Sequence, residues 1–149
     1  MKKYELTEET FTVFGKTLYR IRAVRDFGSV KTGEFGGYIE KEENLSHFGN
    51  AWVYGNAKVC GNAKVCGEAK VSNTRHFFVQ GPIGSRNDFV TFYRTTNNTV
   101  GVRCGCFSGS LQKFVDRVEE THGGSRYEKE YKLAAELAKV CIRLEEEAE

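Results

Sequence analysis

The alternation of apolar and polar residues changes its rhythm three times along the chain. Residues 4–24 read as a β-hairpin: the runs TFTVF and TLYRIRAV are rich in β-branched and aromatic residues, and Gly15-Lys16 lies between them as a turn. In the second run Tyr19, Ile21 and Ala23 share one face, and Leu18, Arg20 and Arg22 share the other. That is the pattern of a sheet packed on one side and wet on the other. The stretch DFGSVKTGEFGGYIEKEENLSHF that follows is glycine-rich without a helical period, which predicts turns and very short strands.

A six-residue rhythm then takes over. Residues 49–72, GNAWVYGNAKVCGNAKVCGEAKVS, hold Gly49, Gly55, Gly61 and Gly67 in one register. Ala51, Ala57, Ala63 and Ala69 occupy the second fixed position, and Val53, Val59, Val65 and Val71 the third. This period fits a chain that runs straight briefly, bends at a small residue and repeats. Valine is assigned to a narrow core, alanine to a tight corner, and glycine to a bend that calls for positive φ. Trp52, Lys58, Lys64, Lys70 and the series Tyr54, Cys60, Cys66, Ser72 are left to face outward.

Beyond residue 74 the rhythm changes again. HFFVQ, DFVTFYRT and TVGVRCGCF are three strands, separated by the loop GPIGSRN and the turn TNN. Leu111, Phe114, Val115 and Val118 have helical spacing, and Gly123 ends that helix. Ser125 and Glu128 form a capping-box pattern opening a second helix, with Tyr131, Ala134, Leu137, Ala138 and Cys141 along one side. Residues 76–145 thus read as a β-β-β-α-α unit.

The hexads resemble the hexapeptide-repeat family, whose fold is a left-handed parallel β-helix of triangular cross-section, three hexads to a coil. The resemblance implies a mainly β plus α+β protein. A short left-handed parallel β-helix of about two coils, capped by the N-terminal hairpin, would occupy residues 1–74, and an α+β recognition unit residues 75–149. Coils of this family commonly associate, so the resemblance also implies a homo-oligomer, trimer or dimer. The run KKYELTEETFTVFGKTLYRIRAVRDFGSVKTGEFGGYIEKEENLSHFGNAWVYGNAKV, with VQGPIGSRNDFVTFYRT and the later CGCF-x-G, is similar to a group of bacteriophage and prophage proteins. That second resemblance implies an accessory protein of the host cytoplasm. It would bind and neutralise a host factor, counteracting antiviral defence by sequestering an anionic nucleotide signal or by binding an immune protein.

Composition narrows the chemistry. A net charge of +2 gives no electrostatic footprint for nucleic acid. No run of about 18 apolar residues is present to span a membrane. The lysines at the amino end are not followed by an apolar stretch, so no secretory signal is expected. Five cysteines, an odd number, are expected as reduced thiols. Cys60 and Cys66 would lie on adjacent faces of a coil, out of disulfide range. In RCGCF the Cys-x-Cys spacing is too short for the usual zinc pattern, and Cys104 and Cys106 alternate with Val100 and Val102 as small core residues. No metal site and no cofactor are expected.

The other face of that strand carries Gly101, Arg103 and Gly105, with Phe89, Thr91 and Tyr93 across the hairpin. The loop ahead of it offers Gly81, Gly84, Ser85, Arg86 and Asn87. Successive amides of a glycine-rich loop form an anion nest, Ser and Arg add donors, and aromatic faces suit a planar base. The expected anion or nucleotide site is therefore Gly84, Ser85, Arg86, Asn87, Tyr93 and Arg103, the simpler alternative being Arg86 bonded to Asp88 or to a helix carboxylate. The hexapeptide family includes acyltransferases with a histidine base, a role that would fall here to His47 or His122. Neither lies in a clear hexad, and no Ser/His/Asp grouping, Walker loop or carboxylate pair is visible. A non-enzymatic binding protein is the main expectation, with an acyltransferase or a purely structural oligomerisation protein as the alternatives.

Overall fold

A computed structural model describes residues 2–144. Strands β1 (Tyr4–Val13) and β2 (Lys16–Ala23) form the amino-terminal hairpin, turning at Phe14 and Gly15, which both have positive φ. An irregularity between Leu6 and Thr10 breaks the alternation. Leu18 and Ile21, on opposite faces by alternation, are both fully buried, and only Ile21 belongs to the core of the repeats. Strand β3 (Phe35–Ile39) pairs antiparallel with β2.

The repeats do not build the expected left-handed parallel β-helix. Parallel pairing among the described residues is confined to two ladders of two residue pairs each and one bridge. Strand β5 (Lys58–Val59) lies beside β3, strand β4 (Trp52–Val53) beside β6 (Lys70–Val71), and Leu45 bridges Val65. The first of these pairs is the edge of a mixed sheet ordered β1-β2-β3-β5, and the second is a sheet of two strands. The reason lies in the hexad itself. Gly49, Gly55, Gly61 and Gly67 all adopt φ between 59° and 72°, so each six-residue unit bends before its strand can lengthen. The hairpin sheet then takes the edge on which further parallel rungs would stack.

What the repeats do build is a core. Val53, Val59, Val65 and Val71 are fully buried, as are the four alanines of the register to within 3% exposure. Trp52, expected outside, is also buried and packs edge-on against Tyr4 and Phe27, with ring centroids 6.2 and 5.1 Å away. Tyr4 joins the hairpin to the same core, its hydroxyl donating to the Leu45 carbonyl at 2.6 Å. The β3 backbone passes so close that a Cβ on Gly37 would stand 2.5 Å from the Ala57 carbonyl oxygen.

Lys3 is fully buried at the margin of this core. Its ammonium donates to the Ala51 carbonyl at 2.6 Å and lies 4.8 Å from the centre of the Phe27 ring. Burial, reinforced by the charge of Arg25, lowers its pKa from the ordinary 10.5 to about 8. At neutral pH both folded and unfolded chains hold the proton, and the fold carries the whole penalty, about 3 kcal/mol. Between pH 8 and 10.5 only the unfolded chain keeps it, so this residue's contribution to stability rises with pH across that window. Lys3→Met is expected to raise the melting temperature at pH 7 and to gain less than the native protein between pH 7 and about 9.5. Paired melting curves at the two pH values measure it, and identical pH responses would show that the buried charge has no such effect. Tyr4, Tyr93 and Cys104 are pushed up by burial and pull stability the other way as pH rises, so the difference between the two proteins is the quantity to read.

The carboxyl half is an antiparallel sheet ordered β10-β9-β8-β7, made of β7 (Phe77–Ile83), β8 (Asp88–Arg94), β9 (Val100–Cys104) and β10 (Phe107–Ser110). The expected β-β-β-α-α order gains a strand. Gly105, with φ of 56°, turns the chain and pairs Phe107 with Cys104, whereas FSGS alone carries almost no strand signal. Helices α1 (Leu111–His122) and α2 (Arg126–Cys141) cover one face of the sheet. Ser110 caps α1 by accepting from the Lys113 amide. The capping box expected of Ser125 and Glu128 is rearranged: Glu128 accepts from the Gly124 amide, and the Ser125 hydroxyl donates to the His122 carbonyl. Tyr131, Ala134, Ala135 and Ala138 form the inner side of α2, and Leu137 lies on the outside.

The sheet's other face meets the repeats. Tyr93, with Phe77 and Val79 beside it, belongs to the repeat core. The Lys64 amide donates to the Thr91 hydroxyl at 2.9 Å, and the buried Arg94 donates through Nε to the Lys70 carbonyl at 3.1 Å. The carboxyl half thus presents Val90, Phe92 and Val102 to its helices and Tyr93 to the repeats.

Candidate functional site

Where the β7–β8 loop, the β9–β10 turn and the two helices converge, they enclose a cavity of about 300 Å³. Its floor is apolar: Phe107, Phe114, Val118 and Tyr131. Helical spacing puts Phe114 and Val118 on the inner side of α1, and Phe114 meets Tyr131 edge-to-face with ring centres 5.7 Å apart. The rim is polar, formed by Ser85 and Arg86 of the loop and by Arg117, Thr121 and His122 of α1. The guanidinium of Arg117 stands 5.6 Å from the centre of the Phe107 ring. His122 lies against Tyr131, with ring centres 5.6 Å apart.

Gly84 makes this junction close. Its φ of 78° suits glycine, and a Cβ there would overlap the Tyr131 ring. Its amide donates to Glu130 Oε1 at 2.7 Å, so the chain supplies its own carboxylate to the glycine loop where an external anion was expected. Asp88 sits at the base of the loop, with Oδ1 accepting from the Phe89 amide at 2.7 Å and Oδ2 turned toward Gly105. Cys104 and the Tyr131 hydroxyl are hydrogen-bonded neighbours. Burial raises the pKa of both, and the charge of Asp88 adds to each shift. The thiol and the phenol therefore keep their protons at neutral pH, which leaves Cys104 a poor nucleophile.

The six residues expected to share a site are divided between the two faces of the sheet. Gly84, Ser85 and Arg86 lie at the cavity. Asn87 closes the turn, its amide donating to the Gly84 carbonyl, and is not among the residues that line the cavity. Tyr93 is buried on the repeat side against Gly101, with its hydroxyl 3.6 Å from Cys66 Sγ. Arg103 donates to the Gly105 carbonyl at 2.8 Å and lines a separate groove of about 350 Å³ with His47, Lys64 and Cys66. The bare surface expected around Gly101 is thus the seat of a tyrosine ring, and Cys66, expected outside, is buried in the same joint.

Sequence reasoning missed Arg117 and the aromatic floor, because helical spacing marks Phe114 as core without saying that a cavity opens beside it. Cys104 packs against the helix core as its alternation suggests, whereas Cys106 is exposed on the turn. His47 is held in place from both sides. Its Nδ1 accepts from the Lys3 amide at 3.0 Å, so Nε2 carries the proton and faces Glu42 Oε1 at 3.2 Å. The ring also stacks on Tyr4 at 4.1 Å, leaving no lone pair free for a base.

All five cysteines are free thiols, and no group of three or more His, Cys, Asp or Glu suited to a metal ion occurs among the described residues. No helix among them is long and apolar enough to cross a membrane. Comparison with protein families and with curated proteins finds no match for the chain.

Proposed function

We propose that this is a non-enzymatic binding protein whose cavity captures a small anion bearing a flat ring. A nucleotide signal of the host fits that description, and its capture would serve a phage accessory protein that blunts antiviral defence. The observation that carries the reading is the pairing of an aromatic floor with two exposed arginines at its rim. Arg86 and Arg117 make no ion pair among the described residues, although seven other basic side chains do. Guanidinium groups bind phosphate in forked geometry, and rings stack on aromatic faces whatever their sequence. At about 300 Å³ the cavity admits one ring system, leaving the charged group at the mouth beside the arginines. The phage element rests on the resemblance of the amino-terminal run and the glycine loop.

The test is a thermal-shift screen with mononucleotides and cyclic nucleotides, since a ligand of the folded state raises its melting temperature. Arg86→Ala/Arg117→Ala is expected to weaken the bound nucleotide by about 100-fold, two charge-assisted contacts of ~1.5 kcal/mol each. Both side chains are exposed, so the unliganded melting temperature should hold. Undiminished affinity in the double variant would remove the site. Turnover of an acyl-CoA would instead favour the acyltransferase alternative. Silence toward every nucleotide, with a defined host protein recovered in stoichiometric complex, would favour binding of an immune protein.

A further inference from the structure

We infer that Asp88 selects among such ligands for a base carrying an exocyclic amino group, an inference that rests on the binding reading above. The cavity's charged groups are unbalanced. Arg86 and Arg117 only donate, Ser85, Thr121 and His122 stand with them at the rim and can both donate and accept, and Tyr131 is hydrogen-bonded to Cys104. Asp88 is the one carboxylate lining the space among the described residues. Its position is built. Asp88 opens β8 and pairs with Ile83 across the hairpin, and Oδ1 is fixed by the Phe89 amide. The second oxygen lies beside Gly105, 3.8 Å from where a Cβ would be, and both residues line the cavity. It makes no hydrogen bond or ion pair among the described residues. Its charge is nonetheless felt inside, since it pushes up both Cys104 and Tyr131.

A half-buried carboxylate oxygen beside an apolar floor accepts N–H donors and repels carbonyl oxygens. Adenine, guanine and cytosine present an amino group on the ring edge. In uracil the ring N–H lies between two carbonyl oxygens, and hypoxanthine has lost the amino group of guanine. With phosphate at the arginines and the ring over Phe107 and Phe114, the amino edge is the part of the ligand left to meet Asp88.

The experiment is calorimetric titration of the native protein with two matched pairs, CMP against UMP and GMP against IMP, repeated on Asp88→Asn. Asparagine keeps an acceptor for the Phe89 amide and offers the cavity an NH₂ group instead of an oxygen. The native protein is expected to bind the amino-bearing member of each pair about tenfold or more tightly. Asp88→Asn should erase the GMP preference and reverse the CMP preference, because its NH₂ now donates to the uracil oxygen. Equal affinities within both pairs on the native protein would overturn the inference and leave the binding reading standing. No binding by any of the four would also overturn the inference, and the thermal-shift screen with every nucleotide then decides the binding reading separately. If the variant is poorly folded, the native pairs alone decide.

Discussion

Replacing Gly37 with alanine is expected to destabilise the protein by about 3 kcal/mol and to lower its melting temperature by roughly 10 °C. The new methyl would stand 2.5 Å from the Ala57 carbonyl oxygen and 2.7 Å from a methyl of Val53. Two of the obstacles differ in kind: the Val53 side chain can rotate, whereas the Ala57 carbonyl is already committed to the Tyr38 amide at 2.9 Å. Relief therefore requires β3 to move away from the repeats, which breaks the parallel contact between β3 and β5. Denaturant unfolding of Gly37→Ala, with the exposed neighbour Glu34→Ala as control, measures the effect. A loss below about 0.5 kcal/mol would mean that the strand and the repeats are not packed this closely.

Phe114→Ala is expected to cost about 3–5 kcal/mol, the range for deleting a buried ring. The ring meets Phe92 edge-to-face at 6.0 Å, Phe107 at 5.8 Å and Tyr131 at 5.7 Å, joining strands β8 and β10 to both helices. None of those neighbours can close the gap without leaving its own contacts, so little of the loss is recovered by collapse. Phe114→Leu keeps most of the volume and should cost about 1–2 kcal/mol. Chemical denaturation of the two variants gives the ordering directly. Equal and small losses would show that α1 is held by something other than this ring.

Local features of the chain were legible because local chemistry enforced them, although the expected β-helix was not built. The glycines of the hexads were read as bends and have the positive φ that bends require, and their valines and alanines are buried. Helix α1 starts at a serine cap and carries Phe114 and Val118 inward at the spacing read from sequence. The global arrangement of the repeats was not legible. A six-residue period fixes where the chain bends, and nothing in it states which strand will occupy the neighbouring edge. In this protein the hairpin does, through β3.

The site shows the same division between local and distant information. Alternation correctly groups Tyr93 with Gly101 and Arg103 on one face of the sheet. It does not say that the repeats will cover that face, nor that the loop from Gly84 to Asn87 will lean toward the helices on the other. That lean depends on Glu130 reaching the Gly84 amide and on Tyr131 filling the space a side chain would take. Both partners lie more than forty residues further along the chain. Leu137 illustrates the limit within a single helix. Its spacing fits the inner stripe, yet the alanines at 134, 135 and 138 bring α2 closer on a slightly rotated face and leave Leu137 outside.

Strand β8 has a consequence for how the whole molecule comes apart. Val90 and Phe92 lie in the core beneath the helices, whereas Tyr93 lies in the core of the repeats, and Thr91 and Arg94 bond to the repeat backbone. A single seven-residue strand therefore serves as an inner wall for both cores. Loosening either core strips one side of that wall and exposes apolar surface that the other core needs covered. The two halves share a wall, so they are expected to melt in one transition, and a chain divided between residues 74 and 75 would leave each piece with an open flank where its neighbour had been.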